Sequence, residues 1–329
     1  MLNVVLIGVG AVSKSHISAW LKQENVRVIG VADFFADRAE AAAKVLGAEK
    51  WSDDYRDLID SDSVDAVDIC VTEAAHVAVA TDAANAGKHI LVEKPISTTL
   101  TDADLIIKAA EKNNVKLMVA HTHHFFDYSI SAKEIIDSGE IGTPVYIKHV
   151  SGGGFWKQDW TGTRISAGDT GGNVVTNGIH IVDLTNWWMG SDPISVYAQA
   201  LNPTSSHMEM NQYFVITIKY ENGAIGIVEM SRANMPRTNQ FSQITVLGTE
   251  GEIRTGSDVN SQWVYKEDGL IFDNGGYQEG FDREINSFVD AVLNDKEPPV
   301  TGNDSKVALQ VCLAAEVSIK TGSVKQIRS

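Results

Sequence analysis

Two stretches carry side chains that could move a proton. Glu93-Lys94-Pro95 follows the apolar run His89 to Val92. In an open parallel sheet, residues at the carboxyl end of a strand face the ligand crevice. A lysine there can hydrogen-bond a hydroxyl and stabilise an alkoxide, and poor solvation would lower its pKa. A plain surface lysine at a strand end is the alternative. The second stretch runs Gly171-Gly172-Asn173-Val174-Val175-Thr176-Asn177-Gly178-Ile179-His180-Ile181-Val182-Asp183. Written as one α-helix over 174–188, it puts Thr176 and His180 at i and i+4, and His180 and Asp183 at i and i+3. Asp183 is then expected to orient His180 or raise its basicity. A satisfied structural His–Asp pair is the alternative.

A third signature binds rather than reacts. Gly8-Val9-Gly10-Ala11-Val12-Ser13 lies between the apolar run Val4 to Ile7 and a predicted helix, the context a dinucleotide fingerprint requires. Gly8 permits the tight turn, and Gly10 admits a pyrophosphate to backbone N–H groups at the helix N-terminus. Ser13 stands where Gly or Ala is usual and is small enough for close helix–sheet packing. Asp33 ends the next strand, about 20 residues beyond Ser13, where a carboxylate accepts the ribose hydroxyls of NAD and repels the 2′-phosphate of NADP. NAD is therefore expected and NADP disfavoured. Ordinary turn glycines in a non-binding α/β domain are the alternative.

The elements that must position these residues divide near residue 122. Val26–Ala32, Ala66–Val71, His89–Val92 and Val115–Ala120 read as strands buried on both faces. Helical stretches such as Ala36–Leu46 and Ala74–Ala86 separate them, so βαβ units and a parallel sheet follow. Thr101-Asp102-Ala103-Asp104 reads as a capping box. The remainder changes character. Tyr213–Tyr220 alternates, Asn222-Gly223 turns, and Ala224–Ser231 follows, a strong hairpin signal. Trp263–Tyr265 and Leu270–Phe272 flank another turn. Phe281, Ile285, Phe288, Val289 and Val292 make one helical face, and Asp304–Lys320 is a helix stopped by Gly322. The expected fold is α/β: residues 1–122 as a Rossmann dinucleotide-binding domain, residues 123–329 as an α/β domain with a mostly antiparallel open sheet.

Composition narrows the partners. The net charge of −16 repels phosphate backbones and anionic lipid, which excludes nucleic acid and membrane surfaces as natural partners. Cys70 and Cys312 are the only cysteines, too few for a disulfide framework or a Cys-rich zinc site, and a reducing compartment fits. No targeting segment or uncharged apolar stretch of about 18 residues is present, so the chain reads as cytoplasmic.

The glycine loop followed by His16, the string Ala86-Gly87-Lys88-His89-Ile90-Leu91-Val92-Glu93-Lys94-Pro95, the Gly-Ile-His-Ile-Val-Asp segment and the stretch from Phe281 to Gly322 together resemble the Gfo/Idh/MocA oxidoreductase family. The resemblance covers essentially the whole chain. It implies an NAD(P)-dependent enzyme acting on a sugar, sugar derivative or cyclitol, and a homodimer or homotetramer built on the open sheet. It makes Lys94 the catalytic lysine and His180 the helix histidine. The family usually carries Asp one turn before that histidine, where this chain has Thr176. A hydroxyl cannot hold a negative charge near neutral pH, so proton acceptance falls to His180 or Lys94, with Thr176 in a supporting catalytic place.

The expected cofactor contacts are Gly8, Gly10, Ala11, Val12, Asp33, Phe34, Thr72, His76, Glu93, Lys94 and His121. The expected substrate contacts are Lys94, His123, Trp160, Arg164, Asn177 and His180. His76 could equally cap its helix. His121, His123 and His124 cluster near the domain boundary, but an extended His-x-His-His points its rings to opposite faces, so no metal is expected. Phe155, Trp156, Asp159 and Trp160 sit among glycines and suit stacking on a ring or anchoring a loop. Trp187 and Trp188 read as core or interface, and the acidic run from Asp53 to Asp62 as a solvated face. The reading is hydride transfer between nicotinamide and a secondary hydroxyl or keto group of a cyclic sugar or cyclitol. A redox-assisted glycoside hydrolase and a non-catalytic NAD-bound regulator are the other two classes.

Overall fold

The structure is a computed structural model that describes residues 1–153, 172–203, 210–234, 240–256, 262–266, 269–273 and 280–327. In chain order the first elements are β1 (Leu2–Ile7), α1 (Ser13–Trp20), β2 (Val26–Ala32), α2 (Ala36–Leu46), β3 (Lys50–Ser52), α3 (Arg56–Ile59) and β4 (Ala66–Ile69). Next come α4 (His76–Asn85), β5 (His89–Glu93), α5 (Leu100–Lys112), β6 (Leu117–Ala120), α6 (Asp127–Asp137) and β7 (Pro144–Gly153). A π-helical turn, Val174–Gly178, runs directly into α7 (Ile179–Met189). After it lie β8 (Pro193–Leu201), β9 (Tyr213–Tyr220), β10 (Ile225–Ser231), β11 (Gln240–Gly248), β12 (Gly251–Thr255), β13 (Gln262–Lys266) and β14 (Gly269–Asp273). The last elements are α8 (Gly280–Leu293), α9 (Gly302–Thr321) and β15 (Lys325–Gln326).

Two compact units emerge, Met1–Thr122 with Glu279–Lys306, and His123–Gln278 with Val307–Ser329. In the first unit six strands run in the order β3-β2-β1-β4-β5-β6, every pairing parallel. This is the doubly wound order, whose ligand crevice lies at the switch between β1 and β4. The apolar runs explain the sheet: Val4, Leu6, Val31, Val67, Ile69, Ile90 and Val92 have no exposed surface. Burying one such side chain contributes about 1.5–3 kcal/mol. Helix α2 ends on Gly47 in the left-handed conformation, φ +67°. Helix α5 is capped two residues earlier than the expected box. Thr99 accepts from the Asp102 backbone N–H, and its hydroxyl donates to the Asp102 carboxylate. The segment Glu279–Lys306, assigned above to the second domain, folds with the first unit. There α8 packs on α1, with Ile285, Phe288 and Val289 buried and Lys22 paired with Asp282.

The second unit holds a nine-stranded sheet, β14-β13-β12-β11-β7-β10-β9-β8-β15. Only β7 and β10 pair in parallel; the rest are antiparallel. The β9–β10 hairpin closes at Asn222-Gly223, with Gly223 at φ +87° and the Asn222 side chain accepting from the Ala224 N–H. Alternation along β9 buries Phe214, Ile216, Ile218 and Tyr220. Helix α7 lies against β7 and β10. A Cβ at Gly178 would sit 2.7 Å from the Phe214 ring, so a glycine there lets the helix entry meet the sheet. Trp188 is core, with its indole N–H on the Ser129 carbonyl, while Trp187 is half-exposed and stacks on His124. Among the described residues no helix is long and apolar enough to cross a membrane.

Candidate active site

The ends of β1, β2 and β4 and the segment after β3 enclose a cleft of about 680 Å³ in the first unit. Gly8 sits at φ +93°, and a Cβ there would lie 2.6 Å from the Cys70 carbonyl carbon, so no other residue makes this turn without moving β4. A Cβ on Gly10 would meet only the Cys70 oxygen, at 4.0 Å, so this glycine opens toward the cleft. Ser13 is fully buried and donates to the Gly10 carbonyl at 2.9 Å, which preserves the close packing of α1. No side chain caps α1. Its first-turn N–H groups suit an anion, as helix N-termini do.

Asp33 ends β2 with its carboxylate aimed at the loop. One oxygen accepts from the Val9 N–H at 2.6 Å and the other from the Phe35 N–H at 2.9 Å. The Arg38 guanidinium lies over the Phe35 ring at 4.4 Å, and that of Arg56 over Tyr55 at 4.6 Å. A glycine cradle, an uncapped helix start and an oriented carboxylate fit a dinucleotide. Gly8, Gly10, Asp33, Phe34 and Thr72, named above as candidate cofactor contacts, line the cleft, with Ala11 and Val12 at the entry to α1. Asp53, Asp54, Tyr55 and Arg56 also line it. The acidic run is thus not wholly a solvated face, because the end of β3 delivers its start to the crevice. Val9, Phe35, Arg38 and Val71 were likewise not anticipated; the signal for Val9, Phe35 and Val71 was position just after a strand, while Arg38 lies in the first turn of α2.

Lys94 follows β5 and is partly accessible. Its backbone N–H donates to Glu93 Oε2 at 2.9 Å. Glu93 Oε1 takes His16 Nε2 at 3.1 Å, and His16 Nδ1 meets Asp68 at 3.0 Å. The Trp20 indole N–H donates to Asp68 at 2.6 Å. Burial opposes a charge on His16, but Asp68 prevails and holds its pKa well above the ordinary value. Burial likewise opposes ionised Glu93, yet the His16 hydrogen bond and charge, aided by Lys94, keep its pKa low. His76 is fully buried, with Nδ1 2.9 Å from the Pro95 carbonyl, and burial lowers its pKa. His121 is buried with Nε2 2.9 Å from Ser305 Oγ. The side chains of His76, Glu93 and His121, all expected as cofactor contacts, are buried and bonded within the protein. His76 and Glu93 brace the Lys94 segment from both sides.

In the second unit Thr176, Asn177 and His180 are partly accessible, while Val174, Val175, Gly178 and Ile179 between them are buried. Residues 174–178 wind as a π turn rather than the expected α-helix, a feature frequent at functional sites. Asn177 accepts from Arg232 Nη2 at 2.9 Å and donates to Asn173 at 3.0 Å. The His180 ring stacks on His123, centroids 4.5 Å apart and 17° from parallel. Asp183, assigned above to His180, is buried and meets His124 Nε2 at 2.5 Å. His149 lies fully buried against Ser242, its pKa lowered to about 3 by burial and then by His123. Trp160 and Arg164, with Phe155, Trp156, Asp159 and Gly171, lie outside the described residues. Among the described residues, a trio with metal-ligand atoms within 4.8 Å of one another is His16, Asp68 and Cys70. Those atoms are bonded to each other. Cys70 and Cys312 are free and buried.

Residues 2–121 match the model of the oxidoreductase family with an NAD-binding Rossmann fold, and residues 130–254 that of the GFO/IDH/MocA C-terminal domain. The chain is 29% identical to an uncharacterized oxidoreductase, YrbE, of Bacillus subtilis (strain 168), over 96% of this chain and 94% of that one. It is 28% identical to scyllo-inositol 2-dehydrogenase (NAD(+)) of the same organism, over 99% and 96%. Among solved structures, levoglucosan dehydrogenase in complex with NADH and levoglucosan superposes with a TM-score of 0.89 at 22% identity, covering 100% of this chain and 99% of that one. That likeness establishes the shared fold.

Proposed function

The chain belongs to the Gfo/Idh/MocA family of NAD-binding oxidoreductases acting on CH–OH groups, and we propose that it oxidises one secondary hydroxyl of a cyclic sugar, sugar derivative or cyclitol, or reduces the matching ketone. The observation that carries this reading is a lysine braced at the carboxyl end of β5, in the same sheet as the dinucleotide cleft. A relative named for an inositol, matched along nearly the whole chain, supports the cyclic polyol.

Gly8, Gly10, the start of α1 and Asp33 would hold NAD, with Phe34 and Thr72 beside it. When bound, NAD supplies the hydride acceptor. The chain must then remove a proton from the hydroxyl as its carbon is oxidised. Lys94 hydrogen-bonds that oxygen and stabilises negative charge on it. His180 accepts the proton, directly or through Lys94. Thr176 and Asn177 orient the ring; the Asn177 oxygen that takes Arg232 keeps a second lone pair for a substrate hydroxyl. His123, stacked on His180, limits the rotation of that ring. Trp160 and Arg164 are proposed as further substrate contacts.

The test is a panel of cyclitols, cyclic sugars and glycosides, each assayed for NADH with NAD and for NADPH with NADP. The reading expects NADH from a cyclitol or sugar. A glycoside cleaved with no net NADH would assign redox-assisted hydrolysis instead. No turnover across the panel would assign a binding protein. We also propose a homodimer or homotetramer. Ile225 and Leu247 are each 43% exposed and both stand opposite Tyr146 on one face of the sheet. A monomeric mass by light scattering would refute this.

A further inference from the structure

The ground beneath Lys94 holds more ionisable groups than the proposed reaction uses. His16 is fully buried and meets a carboxylate at each ring nitrogen. Carboxylates only accept, so both nitrogens carry hydrogen and the ring is an imidazolium. Asp68 and Glu93 are its two anions, and each has a further donor, the Trp20 indole and the Lys94 backbone. Helix α8 adds a third carboxyl. Phe281 meets the His16 ring edge-on at 5.7 Å. One turn on, Glu284 has no exposed surface, and neither of its carboxyl oxygens has a hydrogen-bond partner.

The groups acting on Glu284 come from four parts of the first unit: His16 from α1, Asp68 from β4, Glu93 from β5 and Thr122 just beyond β6. One buried cation already serves two buried anions. A third buried anion with no cation of its own would be uncompensated, which interiors do not tolerate. With Glu284 neutral, the set carries one net negative charge, matched by the neighbouring Lys94 ammonium. With Glu284 ionised it carries two.

We propose that Glu284 is a positioning residue for Lys94, acting as a neutral carboxylic acid that leaves the His16 imidazolium to Asp68 and Glu93, so that Glu93 can hold the Lys94 backbone. This rests on the reading that Lys94 is catalytic. Burial pushes the Glu284 pKa up to about 8, Glu93 and Asp68 adding to the shift while His16 and Thr122 oppose it. Above that pH the third anion competes for His16 and the hold on Lys94 slackens.

Glu284→Gln keeps the shape and fixes the neutral state. The native infrared spectrum at neutral pH should show a protonated-acid C=O band that the variant lacks. The native folded state keeps a proton that the unfolded chain releases above about 4.5. Native stability should therefore fall relative to the variant from about pH 5 to about 8, by up to tenfold in the folding constant per pH unit, and then run parallel. In protein labelled with 15N-lysine, assigned through Lys94→Ala, the Lys94 amide should titrate near pH 8 in native protein and not in Glu284→Gln. No acid band and a pH-independent stability difference would overturn the neutral state. A neutral acid with a Lys94 amide equally silent in both proteins would overturn the positioning role. None of these readouts needs turnover, so an inactive sugar panel would sink the proposed reaction without deciding this one.

Discussion

Asp33→Ser should change which cofactor binds, and the structure separates two reasons why. The carboxylate anchors the glycine loop through the Val9 N–H at 2.6 Å and its own turn through Phe35 at 2.9 Å. It is also the proposed acceptor for the ribose hydroxyls. A hydrogen bond to a charged group contributes about 1.5–3 kcal/mol. Losing the ribose contacts, with serine recovering part of one, should cost about 2–3 kcal/mol, or roughly 30- to 150-fold in affinity for NADH. The loop-anchoring loss falls on NADH and NADPH alike. The charge effect does not: repulsion of the 2′-phosphate vanishes, while Arg38 remains in the cleft. The NADH-to-NADPH affinity ratio should therefore fall at least tenfold. Fluorescence titration of each reduced cofactor measures this on the binary complex, with no substrate. If both cofactors weaken by one common factor, Asp33 only anchors the loop, and the ribose assignment is wrong.

Lys94→Ala should bind NADH within a few-fold of native and lose turnover, because the cleft does not depend on this side chain; an unchanged kcat would remove it from the mechanism. His180→Ala should lose roughly two to four orders of magnitude in kcat. Thr176→Asp should shift the rising, low-pH limb of the oxidation profile to higher pH by stabilising the His180 imidazolium, and an unmoved limb would separate the two side chains. His149, its pKa depressed to about 3, stays neutral in the fold while the unfolded chain protonates below about 6.5. Native stability should thus fall as pH drops from about 6.5 to 3, and His149→Gln should flatten the urea midpoint across that window.

Strong local patterns carried the fold into the sequence. Val26–Ala32, Ala36–Leu46 and Tyr213–Tyr220 have the bounds their apolar runs and alternation announce. Gly47 and Gly223 mark the stops because left-handed backbone favours glycine there. Strands β7 and β11 were not legible. Their outward faces carry Lys148, Gln243 and Thr245, polar Ser151 and Ser242 pair on the inner face, and β7 ends in glycines, so no apolar run stands out. A contact explains one of those glycines: a Cβ at Gly152 would lie 2.5 Å from the Phe241 ring. The cap of α5 shows a different limit. Thr99 and Thr101 each precede an aspartate by three residues, and only the helix start at Leu100 selects Thr99.

The dinucleotide cleft was legible where one residue type has one steric or charge reason to be present, as at Gly8, Gly10 and Asp33. The candidate site was not legible where packing chooses between equivalent partners. His180 and Asp183 stand at i and i+3, about 60° apart around an α-helix with 3.6 residues per turn. That separation admits a shared face, and equally one residue at the open edge and the other inside. Asp183 is inside, where His124, in the short turn before α6, meets it. His180 is at the edge, where His123 covers its ring. The adjacent histidines of one tripeptide thus divide two roles that the spacing had given to a single pair. The π turn is silent for a related reason. It replaces the i to i+4 pattern with i to i+5 over a few residues, a change that alters no composition and too little of the apolar period to register. Its effect is on access: Thr176, Asn177 and His180 reach the surface together while Val175 and Ile179 stay buried. The proposed proton acceptor and the two proposed orienting groups therefore reach the surface from one segment whose other side chains hold it to the core.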